Sequence, residues 1–347
     1  NQSPSGTKFL KKEVREGLVP RLLEDLMTQR DHHKAMMKSV TDESERQFHD
    51  QMQFAVKILM NTFYGVFASA FYRFTHPDIG SAITAWARSN IMKIIQSLED
   101  DSHPVVYSDT DSVFVSAPEE GKDALVNFGH ELANRFTKEG AELEFEKGLS
   151  VFFSHGAKKR YVGRVVWPEE ELLIRGYEVR RTDSFDLLNT TMMGTFERIL
   201  DGDEEGAYQH VINLIRSVKA GEADVENLIL SRSCKGKVLK DGTVDFSVYS
   251  NPDGLPYVQA AKKRIARGLP FTPGMKVSYI VTAAKGDDGR QTVEPWLVAE
   301  TGDPPPVPDW SFYAARLAKA MGRITEVYGW NEKDLLLGSR QQTFDFF

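Results

Sequence analysis

Residues 105–115 have the sequence VVYSDTDSVFV, in which two apolar strands flank a short polar turn. β-branched and aromatic residues favour strands, whereas Asp, Ser and Thr are common at turns. The two carboxylates of this turn, Asp109 and Asp111, repel each other unless a cation offsets their charge. Hard divalent ions such as Mg²⁺ prefer carboxylate oxygens. The pattern alone therefore leaves two interpretations open, a metal site and an ordinary polar hairpin turn.

Helical periodicity lies on both sides of this hairpin. Apolar spacing predicts helices at residues 18–38, 45–70, 79–98 and 122–138, the first two forming an antiparallel pair. Further strands are predicted at residues 143–145, 151–153, 161–167 and 172–176. From Ser184 onward the chain is predicted to be mainly helical, with a Gly/Pro-rich interruption at 251–273 and a last helix at 310–328. The predicted fold class is α+β.

The size and composition are those of a globular protein with more than one domain. A chain of 347 residues is expected to form two or three packed units. Hydrophobic residues at 41% and charged residues at 27% exclude wholesale disorder. No apolar run approaches the roughly 20 residues that span a bilayer. The single cysteine, Cys234, excludes an internal disulfide, and we expect a reducing, cytoplasmic setting.

The charge is unevenly distributed along the chain. The net charge of −7 argues, as an average, against nucleic-acid binding, because phosphate neutralisation requires Lys and Arg. Distribution matters more than the sum, however. Two basic clusters stand out, and they contain Lys158-Lys159-Arg160 with Arg164, Arg175, Arg180 and Arg181, and Lys262-Lys263-Arg264 with Arg267. Either cluster alone is typical of a solvated surface.

Two helix faces in the predicted hairpin carry polar side chains at helical spacing. Lys57, Asn61 and Tyr64 share one face of the second helix, and Arg30 and Lys34 share a face of the first. Three cations on facing helices could surround a triphosphate. The alternative is that each stripe is ordinary solvated helix surface.

Four segments, in order, resemble motifs of the family B DNA polymerases. Residues 57–65 (KILMNTFYG) resemble K-x-x-x-N-S-x-Y-G, and residues 107–112 (YSDTDS) resemble Y-x-D-T-D-S. Residues 158–161 (KKRY) resemble K-K-R-Y, and residues 175–183 (RGYEVRRTD) resemble K-G-x-E-x-x-R-x-D. The resemblance implies helical-hairpin fingers at 1–70, the C-terminal part of an antiparallel-sheet palm at 71–183, a mainly helical thumb at 184–338 and a clamp-binding tail at 339–347.

The resemblance also implies a role for each matching residue in the two-metal transfer of deoxynucleotides to a primer 3′-hydroxyl. Asp109 and Asp111 would be catalytic and would ligate two Mg²⁺ ions, with Glu146 as a further carboxylate near the metals. The incoming deoxynucleoside triphosphate would be bound by Arg30, Lys34, Lys57, Asn61 and Tyr64. Primer–template DNA in the nucleoid would be bound by Lys158, Lys159, Arg160, Tyr161, Arg175, Arg180, Arg181, Lys262, Lys263 and Arg264.

The chain departs from the family pattern in one large respect. No segment matches the earlier palm motif D-x-x-S-L-Y-P, whose Asp is the other principal metal ligand, and the exonuclease domain is missing too. Residues 5–23 resemble the segment that follows this motif, so we expect the chain to begin just beyond it. We therefore expect a split polymerase that is inactive without an N-terminal partner chain.

Two rival interpretations remain. A non-catalytic, polymerase-derived subunit that binds DNA and a clamp would also carry polymerase motifs. The intact D-T-D turn, the Lys57 stripe and the K-K-R-Y run favour the catalytic interpretation, because a subunit freed from catalysis has no need of all three. An unrelated metal-dependent phosphotransferase would not explain the ordered motifs.

Residues 341–347 (QQTFDFF) carry a separate signal, since they resemble the Q-x-x-h-x-F-F clamp-binding box. Gln341 would fix this tail on a sliding clamp by hydrogen bonds. Phe344, Phe346 and Phe347 would enter an apolar pocket of the clamp. The alternative is that the tail folds back on its own thumb.

Overall fold

The structure is a computed structural model, and it describes residues 1–73, 75–141, 143–177, 184–286 and 289–339. Contacts divide the chain into two compact units, residues 1–145 and residues 146–347. Both units combine helices with small antiparallel sheets, which confirms the predicted α+β class. The division falls within the segment predicted as palm, and the predicted boundaries of fingers, palm and thumb stay predictions. Within the described part of the chain, no helix is both long enough and apolar enough to cross a membrane.

The first unit opens with the predicted helical hairpin. Helix α1 (Leu18–Ser39) and helix α2 (Glu43–Ala68) pack against each other. The Asp42 carboxylate caps α2 by accepting a hydrogen bond from the Glu45 backbone N–H at 2.9 Å. An N-cap of this kind satisfies a donor that a helix start leaves unpaired. The short connection and the cap together fix where the chain reverses.

The rest of the first unit supports the aspartate hairpin. Helix α3 (Pro77–Asp100) is followed by strand β1 (Val105–Asp109), strand β2 (Ser112–Val115) and helix α4 (Lys122–Lys138). The two strands pair antiparallel. Their valines pack on a small buried cluster from α3 and α4, formed by Ile94, Leu98 and Phe136. The hairpin is therefore anchored on two helices.

The strand predicted at residues 143–145 is wrong. The backbone N–H of Leu143 donates to the hydroxyl of Thr137 at 3.1 Å, and that hydroxyl donates to the Leu143 carbonyl at 3.2 Å. Phe145 lies over Gly129, where an added Cβ would come within 2.4 Å of its ring. The backbone N–H and carbonyl of Leu143, which a neighbouring strand would bind, are thus already hydrogen-bonded to Thr137 at the end of α4.

The second unit begins with a three-stranded antiparallel sheet. Strands β3 (Gly148–Phe153), β4 (Tyr161–Trp167) and β5 (Glu171–Arg175) lie in that order. β-branched and aromatic residues dominate β4, and Val162 and Val165 are fully buried. These three strands agree closely with their predicted positions.

The following region is mainly helical, as predicted, and it also contains short strands that the sequence analysis did not predict. Helices α5 (Asp186–Leu200) and α6 (Glu204–Ala220) pack together. The chain then forms strand β6 (Leu230–Ser233) and a small hairpin of β7 (Lys237–Val238) and β8 (Val244–Asp245). Helix α7 spans Pro256–Ala266, inside the segment predicted to be an interruption. Pro256 stands in the first turn of α7, where its fixed φ favours the helix.

The last part of the second unit completes its core. Strands β9 (Lys276–Ala283) and β10 (Thr292–Pro295) form a sheet with β6, in the order β10-β9-β6. Helices α8 (Val298–Thr301), α9 (Trp310–Thr325) and α10 (Glu332–Leu337) follow. The sheet was missed in the sequence because its strands alternate with longer helical segments. The largest side chains buried here include Trp330, Tyr313, Phe185 and Phe196.

Candidate active site

The turn between β1 and β2 is tight and internally bonded. Asp109 pairs with Ser112, so Thr110 and Asp111 alone form the reversal. Thr110 has φ 58°, a left-handed conformation that costs a non-glycine residue about 1–2 kcal/mol. The backbone N–H of Asp111 donates to the Asp109 carbonyl at 2.7 Å, and the Ser112 hydroxyl donates to the same oxygen at 3.1 Å. These bonds hold the reversal in one conformation.

The reversal brings two carboxylates together at one end of the hairpin. Asp111 is exposed, whereas Asp109 is half-buried and accepts a hydrogen bond from the Thr110 hydroxyl at 3.1 Å. Carboxylate oxygens on an accessible turn are the donor type that Mg²⁺ prefers. Among the described residues, no three His, Cys, Asp or Glu side chains lie close enough together to hold a metal ion. The turn can therefore supply some of the carboxylate ligands of a Mg²⁺ site, but not a complete set.

Glu146, the third predicted metal ligand, is the first residue of the second unit. Its side chain is exposed and precedes β3. Its position near the metals stays a prediction.

The predicted nucleotide-binding residues all lie on the helical hairpin. The Nδ1 atoms of His33 and His49 approach to 2.9 Å, and this contact fixes the register of α1 on α2. Counting from that contact, Lys57 lies opposite residue 25 of α1. Arg30 is five residues from that level, or about 7.5 Å along the axis at the helical rise. Lys34 is nine residues from that level, or about 13.5 Å along the axis, so the three cations are spread over two to three turns of the packed helices.

The side chains of this set differ in exposure. Lys57 and Asn61 are exposed, and Tyr64 is 44% exposed. The Nε of Arg30 is buried and has no hydrogen-bond partner among the described residues. Lys34 lies 3.7 Å from the Glu144 carboxylate. A buried guanidinium donor without an acceptor fits an anionic ligand, because leaving such a donor unpaired is unfavourable.

The K-K-R-Y segment forms the connection between β3 and β4. Lys159 has φ 62°, and its carbonyl packs against Gly176, where an added Cβ would lie 2.0 Å from that oxygen. Tyr161 pairs with Arg175 across β4 and β5. The structure thus brings Arg175 to the predicted DNA-binding run, in which Lys158 and Lys159 are exposed. Arg180 and Arg181 lie outside the described residues.

The second predicted basic run, on α7, is paired with acids of its own unit. Lys262 lies 2.5 Å from Asp253, and its hydrogen bond and charge lower the pKa of that carboxyl. Lys263 lies 2.5 Å from Glu294. Arg264 is 12% exposed and lies 2.6 Å from Glu300. The predicted contact of these three cations with DNA stays a prediction, but it would compete with the ion pairs.

The sequence analysis missed another basic surface, which we call the Ser/Lys face. Ser233 pairs with Lys276 and Ser231 with Ser278 across β6 and β9. Directly paired residues share a sheet face. Lys235 follows two residues after the end of β6 and is exposed. The face consists of Ser231, Ser233, Lys235, Lys276 and Ser278. Within the described ranges, neither lysine has a salt bridge.

Cys234 lies between these residues and points to the opposite, buried side. Burial raises the pKa of its thiol to about 11. Ser or Lys at every second position from 231 to 237 is the period-2 signal that could have revealed the Ser/Lys face from the sequence. The predicted tail residues Gln341, Phe344, Phe346 and Phe347 lie outside the described residues.

Comparison with known proteins decides the family. Residues 1–327 match the family model described as DNA polymerase family B. The chain belongs to DNA polymerase family B. A DNA polymerase of Desulfurococcus sp. (strain Tok) is 30% identical over 329 residues, which cover 92% of this chain and 40% of that protein. The DNA polymerase delta catalytic subunit of Glycine max is 29% identical over 368 residues, covering 99% of this chain and 32% of the relative.

A solved structure of a family B polymerase shares the fold. The enzyme from the hyperthermophilic archaeon Pyrobaculum calidifontis matches with a TM-score of 0.61 and 23% identity. The match covers 94% of this chain and 40% of that one. This family B chain therefore spans about 40% of the length of its archaeal relatives.

Proposed function

We propose that this family B chain is the C-terminal part of a template-directed DNA polymerase that adds deoxynucleotides to a primer 3′-hydroxyl. The observation that carries the proposal is the bonded two-residue turn that displays Asp109 and Asp111 at the end of an anchored hairpin. A two-residue hairpin turn ordinarily has positive φ at its first loop position, so the feature that points to a metal is the pair of carboxylates on either side of Thr110. The family to which the chain belongs supplies the reaction class.

Each group of residues has a definite part in this proposal. Asp109 and Asp111 hold Mg²⁺, which when bound lowers the pKa of the primer hydroxyl and offsets charge on the leaving pyrophosphate. Arg30, Lys34 and Lys57 offset the triphosphate charge and orient it for in-line attack. Asn61 and Tyr64 pack at the nascent base pair.

DNA is held through its phosphates, which suits an enzyme that must copy any template. Lys158 to Tyr161, with Arg175, would hold the primer–template near the primer end. We add the Ser/Lys face as a surface for the duplex, because Ser233, Lys235 and Lys276 are exposed and, within the described ranges, its lysines carry no salt bridge. The α7 cations are weaker candidates, since each already has a carboxylate partner.

We further propose that a polypeptide carrying the D-x-x-S-L-Y-P aspartate completes the metal site. Two carboxylates are fewer than the ligands that two Mg²⁺ ions require even when water and substrate phosphates contribute. That motif does not occur in the 347 residues. Glu146 remains a candidate for an additional ligand.

Primer extension tests this function. The chain is assayed with Mg²⁺, a primed template and deoxynucleoside triphosphates, with and without a polypeptide that carries the exonuclease domain and the D-x-x-S-L-Y-P motif. We expect extension only with both components. Extension by the chain alone would contradict the need for a partner. No extension in either mixture, with DNA binding retained, would favour the non-catalytic DNA-binding subunit.

The segment at residues 341–347 is proposed to bind a sliding clamp. Deleting these residues should abolish stimulation of processivity by the clamp and leave basal extension largely unchanged, because the proposal gives the deleted phenylalanines a role on the clamp and none on DNA or nucleotide. Processivity is measured on a long primed template with and without clamp. Stimulation that persists after the deletion would assign clamp binding elsewhere.

A further inference from the structure

The helical hairpin leaves a row of large apolar side chains in solvent. Its five members are between 36% and 73% exposed, and they are Leu18 and Leu22 of α1 and Phe48, Met52 and Leu59 of α2. We call this set the apolar row. Single exposed apolar residues are normal on a protein surface, whereas a contiguous apolar patch marks an interaction site. The positions of the five residues around their helices decide which description applies.

On α2, the apolar row lies on the opposite side from the predicted nucleotide-binding residues. The buried residues His49 and Val56 mark the direction in which α2 faces α1. At about 100° per residue, the α2 members of the row lie about 50–90° to one side of that direction. The predicted nucleotide-binding residues of α2 lie about 70–130° to the other side. The line along which the two helices meet therefore separates the two sets.

Helix α1 continues the row on the same side of the pair. Counted from buried Leu26, the α1 members of the row lie about 40–80° to one side, and Arg30 and Lys34 lie about 40–80° to the other. Because the helices are antiparallel, equal rotations along the two chains lead to the same side of the pair. Lys34 also lies 3.7 Å from Glu144, so the side opposite the row is the one that contacts the segment after α4.

The row is contiguous along the hairpin. The contact between His33 and His49 fixes the level of α1 on α2, and it places Leu22 level with residue 60, beside Leu59. Eleven residues separate Phe48 from Leu59, which corresponds to about 16 Å along the helix axis. The five side chains thus form one patch on the side of the hairpin away from the predicted nucleotide site.

We propose that the apolar row is the docking surface for the polypeptide that completes the metal site, an inference that rests on the proposed function. The aspartate turn supplies too few ligands for two Mg²⁺ ions, so the completing polypeptide lies against the same unit as the row. The chain spans only about 40% of the length of its archaeal relatives. A partner that supplies the rest is large enough to contact both sides of a hairpin that is one helix, or about 10–12 Å, thick.

The charges at the border of the row favour this partner over a second copy of the chain. The charged residues closest to the row in angle around their helices are Asp25 and Glu45, and both are exposed. A two-fold interface places identical patches together, so a second copy would bring two acidic borders into contact. Like charges facing each other across an interface are unfavourable. On the completing polypeptide we therefore expect an apolar patch bordered by Lys or Arg.

The test measures the affinity of the chain for a polypeptide that carries the exonuclease domain and the D-x-x-S-L-Y-P motif. Isothermal titration calorimetry is carried out without Mg²⁺, DNA or nucleotide, so the result does not depend on polymerase activity. Phe48→Ser combined with Leu59→Ser should weaken binding by about thirtyfold or more, because two apolar anchors are removed. Leu22→Ser, on the other helix, should weaken binding by about fivefold or more.

Phe54→Ser combined with Ile58→Ser is the matched control on the same helix. Phe54 and Ile58 are 56% and 49% exposed, against 54% and 48% for Phe48 and Leu59. They lie about 150–190° from the direction of α1 and so face away from the row. The control should bind within about threefold of the unaltered chain.

Each other outcome contradicts a definite part of the proposal. Equal losses in the row variants and the control, or unchanged binding by the row variants, would overturn the docking surface and leave the completing polypeptide in place. No binding by the unaltered chain would contradict the need for a partner as well. Sedimentation of the chain alone gives its oligomeric state. A dimer that Phe48→Ser combined with Leu59→Ser dissociates would assign the row to a second copy.

Discussion

Gly176 shows how a single residue positions a functional segment. It has φ 73°, and an added Cβ would lie 2.0 Å from the carbonyl of Lys159, within the K-K-R-Y segment. Only glycine lets β5 end this close to that connection. Gly176, in the segment 175–183, therefore determines where the lysines of the K-K-R-Y segment lie.

Replacing Gly176 tests this coupling. Gly176→Ala should lower the free energy of unfolding by about 2–4 kcal/mol, because the left-handed backbone strain and a collision with Lys159 add. DNA affinity should fall as well, since the carbonyl collision displaces Lys158 and Lys159. Urea unfolding and a DNA-binding titration measure the two effects.

Gly202→Ala is the matched control, because Gly202 has φ 74° but no heavy atom within 4 Å of an added Cβ. The free energy of unfolding of this control should fall by only about 1 kcal/mol, because of backbone strain, and its DNA affinity should stay unchanged. Equal effects of the two substitutions would show that the Lys159 contact does not matter.

At the scale of elements, two basic surfaces of the second unit are expected to behave differently. The lysines of the Ser/Lys face carry no salt bridge within the described ranges, whereas those of α7 are bound to Asp253 and Glu294. Each phosphate contact that a cation makes on duplex DNA adds about 0.9 to the slope of log affinity against log salt. The salt slope therefore separates the two surfaces.

We expect Lys235→Ala combined with Lys276→Ala to reduce the magnitude of that slope by about 1.8. The matched control, Lys262→Ala combined with Lys263→Ala, should change the slope by less than about half as much. Fluorescence anisotropy of a labelled primer–template over a series of salt concentrations gives both values. A larger change in the control would assign duplex contact to α7.

Long periodic elements could be predicted from the sequence, and irregular ones could not. The helical hairpin, α3, α4 and strands β3 to β5 follow from local apolar spacing. The segment at 143–145 was mispredicted because the hydroxyl of Thr137, six residues earlier at the end of α4, takes the backbone hydrogen bonds of Leu143. Helix α7 was missed because Pro256, a breaker inside a helix, is favourable in its first turn.

For the candidate site, motifs located the residues, and only the structure gave their surroundings. The sequence predicted the Asp109–Asp111 turn, and the structure added the strain at Thr110 and the anchoring on α3 and α4. Ion pairs join residues far apart in the chain, such as Arg264 and Glu300, so local sequence could not show that α7 is neutralised. The His33–His49 contact is likewise visible only when two helices pack.

At the scale of the whole molecule, the chain is a set of polymerase segments distributed over two compact units. The aspartate turn and the predicted nucleotide-binding helices belong to residues 1–145, and the predicted DNA-binding surfaces belong to residues 146–347. We propose that the aspartate turn holds the catalytic metal ions of these segments.

Metal binding by the turn is tested by single-turnover primer extension with Mg²⁺, in the presence of the completing polypeptide. Asp111→Asn should slow extension by about a thousandfold or more, equivalent to about 4 kcal/mol, while DNA affinity stays unchanged. Asp123→Asn, at an exposed aspartate in the first turn of α4, is the control and should extend at the unaltered rate. Extension by Asp111→Asn within about threefold of the unaltered rate, or about 0.7 kcal/mol, would show that Asp111 holds no catalytic metal ion.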